Sequence, residues 1–439
     1  MRIYNTINSS QLIKSNPIFL EEHKKQIRYY SYLKRFIKNW RLNKLKSVKA
    51  QMLVYDTLFN TSIVKTEAVT ELDKKYLYLL PFDLVFILSY DLSSDRSKSA
   101  LNDLIKSCKL EHSLYTQLIS YCSGKIKSWQ TIKNYKAYEL FPEYLDLFHK
   151  NYAFICHKKY KVLITATMSA GKSTLINALC GKKVSLSQNM ACTSQLHYII
   201  GKPFEDGYTC EYDNNLVIDA GSDELLNDNS KNKSGKISVS TYFNGDLSGK
   251  SIVLCDTPGV NSYNNDEHKA ITEQKIKSKN YDVILYLLNA SQLGTNDDEQ
   301  HLLFVKNNIG TKPIIFILNK IDLFNDEDDD VIGIISKHRD YLKRIGFNEP
   351  IICPLSAKYA FLAKKRNSGM LSDHESREFD RVMLNLEQIN YSEYCNEHFG
   401  DIDSSNSVDD NSEFLKKCGI KYIEKLLCSY IAEKENENG

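Results

Sequence analysis

The chain has 439 residues, 42% of them hydrophobic and 26% charged, so it is long enough for two or three domains with substantial cores. Its formal charge of +2 hides an asymmetry: residues 1–150 carry 24 Lys and Arg against 14 Asp and Glu, whereas the remainder carries 33 against 41. Eleven cysteines without a Cys-x-x-Cys pair, and no recognisable signal sequence, argue against a disulfide-stabilised secreted domain and favour a cytoplasmic location.

The first 155 residues are predicted to form a mostly helical, basic N-terminal domain. Within residues 24–49, hydrophobic side chains recur every three or four positions and predict one apolar helix face: Ile27, Tyr30, Leu33, Ile37 and Trp40. Lysines and arginines surround this face, so the helix could lie on an anionic membrane, bind RNA, or pack in a bundle with its basic side in solvent. Residues 76–90 are strongly apolar but contain Pro81 and Asp83 and fall short of the roughly 20 residues that span a bilayer, so we expect them in a core.

Residues 156–439 are predicted to form an α/β domain that begins with a phosphate-binding loop. The sequence 166–173 ends in Gly171-Lys172-Ser173 and joins an apolar, strand-like run at 160–164 to a helical run at 174–179. Backbone N–H groups at such a helix start, from Ala170 to Thr174, bind phosphate oxygens. We expect the Lys172 ammonium to reach the outer phosphates and the Ser173 hydroxyl to bind Mg²⁺.

Three further loops follow predicted strands in the order found at a guanine-nucleotide site. They are Asp256-Thr257-Pro258-Gly259 after residues 251–255, Asn319-Lys320-Ile321-Asp322 after residues 313–318, and Ser356-Ala357-Lys358 after residues 351–355. Each loop alone could be an ordinary turn or helix start. Together with the phosphate loop, at the carboxyl ends of successive strands, they predict a site for GTP.

The first of these loops is expected to sense the terminal phosphate. Asp256 would hold Mg²⁺ through a water molecule, and the Gly259 N–H would meet the γ-phosphate. Thr193, just before a predicted strand at 195–200, is our candidate for the second hydroxyl on Mg²⁺, with Thr165, Thr167 and Ser194 as alternatives.

The other two loops are expected to read the base. The Asp322 carboxylate can accept hydrogen bonds from the N1–H and exocyclic amine of guanine, which adenine does not offer. Asn319 and the Lys320 stem would frame the ring, and the Ala357 N–H would donate to the guanine O6. Residues 203–234, between two of the predicted strands, are polar and are expected to form a long loop.

Several motifs resemble the GTPase domain of bacterial dynamin-like proteins. They are the run from Thr167 to Leu179, the Asp256–Asn261 segment with Glu267-His268 beyond it, and the run from Leu288 to Asp298. The resemblance covers about residues 160–435. It implies a doubly wound, Ras-like P-loop GTPase fold, hydrolysis of GTP with Mg²⁺, and nucleotide-dependent dimerisation. By the same resemblance, Ser169 corresponds to the serine that helps hold a monovalent cation in dynamin phosphate loops.

The sequence departs from related patterns at four points. Ala166 stands where the general phosphate-loop pattern has a glycine, which would be costly if that position needs a positive φ. Val260 stands where Ras-like GTPases have the glutamine that orients water, and no arginine occurs between Lys161 and His338. We therefore expect turnover to need a homodimer, with Lys172, Thr193 and Ser169 as the catalytic candidates. Dynamin-like proteins also resemble one another in a long helical stalk after the GTPase domain. We expect this protein to act either as a small dimerising switch or with a second chain, whose stalk helices would pack against the apolar helix face described above.

The sequence thus predicts a Mg²⁺-dependent, dynamin-like GTPase that is cytoplasmic or peripherally bound to membranes. Two alternatives remain. One is a ribosome- or RNA-associated GTPase of the translation-factor type, since those proteins share the four loops and a hydrophobic residue at the position of Val260. The other is a GTP-binding scaffold with little turnover.

Overall fold

The computed structural model describes residues 10–60, 72–125, 128–167, 169–185, 196–212, 216–221, 236–259, 266–292, 294–324, 330–388, 391–400 and 410–436. The chain divides into two compact units, residues 1–157 and residues 158–439.

The first unit is helical, as the sequence predicts. Its described α-helices are α1 Ser10–Lys14, α2 His23–Asn39, α3 Lys46–Leu58, α4 Lys74–Leu77, α5 Leu80–Ile87, α6 Asp95–Ser107, α7 His112–Cys122, α8 Ser128–Ile132, α9 Lys136–Leu140 and α10 Pro142–Cys156. All eight residues of α5 are buried, so the most apolar stretch of the sequence lies in the core of this unit.

The basic helix α2 packs its apolar face into the same unit. Tyr30, Leu33 and Ile37 are at most 1% exposed, while Ile27 and Trp40 at the ends of the face are half-buried. The expectation that stalk helices of a second chain pack against this face is therefore wrong, because residues 1–157 already cover its centre. The basic side chains remain on the solvent side of the helix.

Among the described residues of the first unit, the buried carboxylate is that of Asp83, with several hydrogen-bond donors around it. Its two oxygens accept from four side chains on four other segments: Tyr29 at 2.5 Å, Tyr144 at 2.6 Å, Asn16 at 3.0 Å and Tyr55 at 3.1 Å. Burial raises the pKa of Asp83 to about 6, although the four donors favour the ionised form. Desolvation is thus the larger effect on this carboxylate.

The second unit is built on a mixed sheet. Its described strands are β1 Tyr160–Ala166, β2 Leu196–Gly201, β3 Cys210–Tyr212, β4 Leu216–Val217, β5 Lys236–Thr241, β6 Ile252–Asp256, β7 Val283–Asn289, β8 Ile314–Asn319 and β9 Ile351–Leu355. They lie in the order β4-β3-β5-β2-β6-β1-β7-β8-β9. Strands β6, β1, β7, β8 and β9 are mutually parallel, and β2 runs antiparallel to β6. This topology confirms the predicted doubly wound fold.

The helices of the second unit either lie between strands or follow the last described strand, β9. They are α11 Lys172–Cys180, α12 Asp266–Lys277, α13 Asn296–Ile309, α14 Val331–Ile345, α15 Ala357–Asn367, α16 Asp373–Gln388, α17 Ser392–Phe399, α18 Asp410–Lys417 and α19 Ile420–Asn436. Helices α15 and α19 both pack against α11, and these three form a first group. In a second group, α13 packs against both α12 and α14. Because the central strands carry almost continuous apolar runs, they are buried on both faces, as crossover connections require.

A buried ion pair joins the first of these groups. The Lys364 ammonium on α15 lies 2.5 Å from the Glu424 carboxylate on α19, and both side chains are at most 3% exposed. The same ammonium donates to the carbonyl oxygens of Leu179, near the end of α11, and Asn244.

Residues 203–234, predicted as a loop, contain strands β3 and β4. These strands extend the sheet beyond β5, with β3 antiparallel to β5. Both are short and lie in polar sequence, so the pairing of β3 with β5 and of β4 with β3 determines their structure more than their own composition does. Among the described helices, none is both long and apolar enough to cross a membrane.

Candidate functional site

The phosphate loop connects β1 to α11. Gly171 has a φ of 98°, a conformation that side chains rarely allow, and it directly precedes the first residue of the helix. Ser169 also has a left-handed φ, of 61°, and is exposed. Ala166 is instead the last residue of β1, fully buried and paired with Leu287, so the expected backbone penalty does not arise there.

Asn319, at the end of β8, links two of the predicted loops. Its Nδ2 donates to the Ala170 carbonyl oxygen at 2.8 Å, and its Oδ1 accepts from the Ala357 N–H at 3.1 Å. The amide is 3% exposed, so both bonds are shielded from water. A Cβ on Gly171 would lie 2.3 Å from the Asn319 Nδ2, which explains why the loop needs glycine at this place.

Asp322 is held beside the third loop. It lies in a short 3₁₀-helix, Ile321–Leu323, that begins after the left-handed Lys320. The buried Ser356 hydroxyl donates to the Asp322 Oδ1 at 2.5 Å, which fixes the carboxylate while leaving its other oxygen for a ligand. Lys358 is exposed and forms an ion pair with Glu378 on α16, so its side chain contacts another helix of the unit.

Asp256 ends β6, and its register pairs it with Ile164 of β1 beside the phosphate loop. It is 1% exposed, and burial raises its pKa to about 6 while the nearby Lys172 charge acts in the opposite direction. Burial likewise lowers the pKa of Lys172, and Asp256 opposes that shift. The Asp256 Oδ1 is a buried carboxylate oxygen that has no hydrogen-bond partner in the described part of the chain. A water molecule on Mg²⁺ would satisfy it, so this residue fits the expected metal site.

Two threonines that the sequence analysis did not select hold the loop that follows Asp256. The Thr257 hydroxyl donates to the Ile164 carbonyl oxygen at 2.9 Å, and the Thr272 hydroxyl on α12 donates to the Pro258 carbonyl oxygen at 3.1 Å. These bonds fasten residues 257–258 to β1 and α12, directly before the half-buried Gly259.

A buried polar pair lies at the end of β1. Thr165 Oγ1 is 2.9 Å from His301 Nε2 on α13, and burial lowers the pKa of His301 to about 3, so this imidazole is neutral near pH 7. The Tyr286 ring packs beside His301, and its hydroxyl donates to Asp298 at 2.8 Å. Thr165 is therefore engaged with His301, which makes it a weaker candidate for a Mg²⁺ ligand than the sequence alone indicated.

The structure brings most of the predicted site residues to one edge of the sheet. Residues 169–174 follow β1, and the other residues follow the ends of β6, β8 and β9: Asp256, Gly259, Asn319, Lys320, Asp322, Ser356, Ala357 and Lys358. The described ranges exclude Thr193, Ser194 and Val260. Sequence reasoning missed Asn177, Ser185, Thr272 and His301, whose local sequences are ordinary for helices or loops.

Comparisons with known proteins give one family match and several partial likenesses. Residues 162–321 match the model of the dynamin family. A stretch of 104 residues is 36% identical to GTPase Der of Fusobacterium nucleatum and covers 23% of each chain. Among solved structures, a variant of Era from Aquifex aeolicus bound to GDP and AlF₄⁻ is 21% identical with a TM-score of 0.29, covering 49% of this chain and 56% of Era.

A second solved structure, of an oligomerised bacterial dynamin pair described as sensing and tethering membranes, is 16% identical with a TM-score of 0.37. It covers 99% of this chain and 72% of that one. At such identities and scores the likenesses to solved structures carry no argument about function. The chain also spans less than a quarter of Der and little more than half of Era. The family match, over the segment that contains the phosphate loop, Asp256 and Asn319, confirms the resemblance seen in the sequence.

Proposed function

We propose that the protein binds GTP with Mg²⁺ and hydrolyses it to GDP and phosphate. The observation that carries the proposal is the pair of hydrogen bonds made by Asn319, which joins the phosphate loop to the Ser356-Ala357-Lys358 loop. With Asp322 fixed by Ser356, one connected set of residues offers phosphate-binding N–H groups and a carboxylate that fits the guanine edge.

In this proposal Lys172 contacts the outer phosphates, while Ser173 and Thr193 supply hydroxyls to Mg²⁺ and Asp256 holds it through water. These residues would hold Mg²⁺, which when bound would supply positive charge next to the phosphates. The buried, unpartnered Oδ1 of Asp256 supports its role. The exposed position of Ser169 at the turn of the phosphate loop is compatible with a contact to a monovalent cation.

We further propose that turnover depends on a homodimer formed through the GTPase domain. The support is the sequence: the 178 residues from Lys161 to His338 contain no arginine, and Val260 lacks a group that could orient water. A partner subunit or a monovalent cation would then supply the missing charge. Stalk helices from a second chain remain a proposal as well, but they need a surface other than the buried centre of α2.

Peripheral association with an anionic membrane is proposed for the first unit. Residues 23–55 contain ten Lys and Arg and no Asp or Glu. The apolar face of α2 is buried, whereas Lys34, Arg35 and Lys38 on the same helix are exposed. A Lys-rich helix surface of this kind attracts anionic lipid headgroups.

The test is phosphate release from GTP by the full chain, with Lys172→Ala as the inactive control. We expect turnover that disappears in the variant and rises with protein concentration over a hundredfold dilution series. Tight GTP binding without phosphate release would favour the scaffold alternative. Parallel sedimentation with phosphatidylserine vesicles and with RNA separates membrane association from the RNA-associated alternative, because each predicts binding to only one of them.

A further inference from the structure

A buried asparagine on α11 forms hydrogen bonds to the backbone of the turn that follows this helix. Asn177 lies within α11 and is 6% exposed. Its Nδ2 donates to the Ser185 carbonyl oxygen at 2.7 Å, and its Oδ1 accepts from the N–H groups of Val184 and Ser185, both at 2.8 Å. Three bonds from one side chain thus hold the backbone of residues 184–185 against the helix.

The fastened residue Ser185 directs its hydroxyl at Asp256. Ser185 is 4% exposed, and its Oγ donates to the Asp256 Oδ2 at 3.4 Å. The other carboxylate oxygen, Oδ1, is buried and has no partner within the described ranges. The two oxygens of Asp256 are therefore distinguished: one is held by Ser185, and the other remains for a ligand.

We propose that Ser185 is a positioning residue for the metal site: it orients the Asp256 carboxylate so that Oδ1 faces Mg²⁺, and Asn177 holds Ser185 in place. This inference rests on the proposed function, since it presupposes that Asp256 serves a nucleotide-bound metal. It adds a role for two residues that lie outside the four loops.

The physical reason is the freedom of a carboxylate about its last torsion angle. The χ2 angle of Asp is broad, so an unrestrained carboxylate samples orientations in which neither oxygen is aimed at the metal. One donor on Oδ2 removes part of that freedom. Groups that orient metal ligands in this way typically change metal affinity by about 10- to 100-fold when they are removed. Because 3.4 Å is long for a hydroxyl donor, we expect the lower end, about tenfold.

The experiment measures dissociation of fluorescent mant-GDP from the full chain as a function of Mg²⁺ concentration, with an EDTA arm without metal. Mg²⁺ that binds only when the nucleotide is bound slows the release of mant-GDP from the protein. The Mg²⁺ concentration that gives half of this effect therefore measures metal affinity, and no turnover is needed. The variants are Ser185→Ala, Ser185→Thr and a matched control, Ser251→Ala. Ser251 precedes β6, is 5% exposed, and has a hydroxyl without a partner among the described residues.

We expect Ser185→Ala to raise the half-saturating Mg²⁺ concentration about tenfold while the dissociation rate in EDTA stays within about twofold of wild type. Ser185→Thr, which keeps the hydroxyl, should resemble wild type, and so should Ser251→Ala. Adding Asn177→Ala to Ser185→Ala should raise the value no further, because both changes remove the same restraint.

Unchanged Mg²⁺ dependence in Ser185→Ala would overturn the inference. Equal losses with and without metal would also overturn it, because they would show that Ser185 only supports the fold of the loop. If Ser185→Ala does not fold, the other two variants decide. The inference is supported if Ser185→Thr keeps the wild-type Mg²⁺ dependence and Asn177→Ala shows the tenfold shift. Any other pair of results overturns it. Failure of the wild-type chain to bind mant-GDP would instead refute the proposed function itself.

Discussion

Replacing the buried carboxylate of the first unit should change its stability in a pH-dependent way. Asp83 accepts four hydrogen bonds from three tyrosines and Asn16. Asp83→Ala leaves these four donors without their acceptor, at a cost of about 1 kcal/mol each, or about 4 kcal/mol in all. Domains of this size are stable by about 5–15 kcal/mol, so the variant should still fold.

The raised pKa of Asp83 offsets part of this loss at neutral pH. In the folded unit its pKa is about 6 against an ordinary value of 3.8, so the folded state binds the proton more tightly. The stability that comes from the protonated form is fully present below pH 3.8 and is lost as the pH rises through 6. The wild type should lose about 2 kcal/mol between pH 4.5 and 7.5 through this one group. Asp83→Ala should therefore be about 4 kcal/mol less stable than wild type at pH 4.5 but only about 2 kcal/mol less stable at pH 7.5.

Tryptophan fluorescence can follow this unit within the full chain. Both tryptophans, Trp40 and Trp129, lie in residues 1–157. Urea unfolding at the two pH values should be compared for wild type, Asp83→Ala and Asp95→Asn, which removes an exposed carboxylate and should change stability by less than about 1 kcal/mol. The reasoning would be refuted if the free energies of unfolding of wild type and Asp83→Ala differ by the same amount at both pH values. It would also be refuted if that difference is no larger than the one for Asp95→Asn.

Three further predictions concern the second unit. Gly171→Ala should weaken nucleotide binding more than tenfold in a fluorescence titration, because φ of 98° and the 2.3 Å approach to Asn319 leave no room for a methyl group. An unchanged circular dichroism spectrum is the control that the variant is folded. Mg²⁺ affinity should fall below about pH 6, where a proton competes for Asp256, and a titration that is flat from pH 5 to 8 would contradict this. Lys364→Met should destabilise the unit by about 3–5 kcal/mol in thermal unfolding because it leaves Glu424 buried and unpaired, whereas the double variant with Glu424→Met should recover most of the loss.

The sequence was most informative where local pattern determines structure. The apolar run before Lys172 forms a strand, and residues 351–355 form the strand expected before the fourth loop. Buried parallel strands are continuous apolar runs, and the loops that follow them meet at one edge of the sheet. This is why four separate motifs predicted one site.

The features that were missed depend on contacts between distant residues. Strands β3 and β4 lie in polar sequence and form because β3 pairs with β5 and β4 pairs with β3, so composition indicated a loop. Asn177 is an ordinary polar residue of a helix until the turn at 184–185 folds back onto it. The apolar stripe on α2 was detectable from its spacing. Whether the unit itself or another chain covers it depends on the fold, because periodicity marks a face and not its partner.

The central claim is that the second unit is a guanine-nucleotide site, and the most direct test is competition of GTP and ATP against mant-GDP. In the proposed site the Asp322 carboxylate would accept two hydrogen bonds from guanine that adenine cannot offer, worth about 3–4 kcal/mol together, so ATP should compete at least about 100-fold less well than GTP. Asp322→Ala should remove this preference, while Asp330→Ala, an exposed acid at the start of α14, should keep it. Equal competition by ATP and GTP in the wild-type protein, or an undiminished preference in Asp322→Ala, would contradict the account.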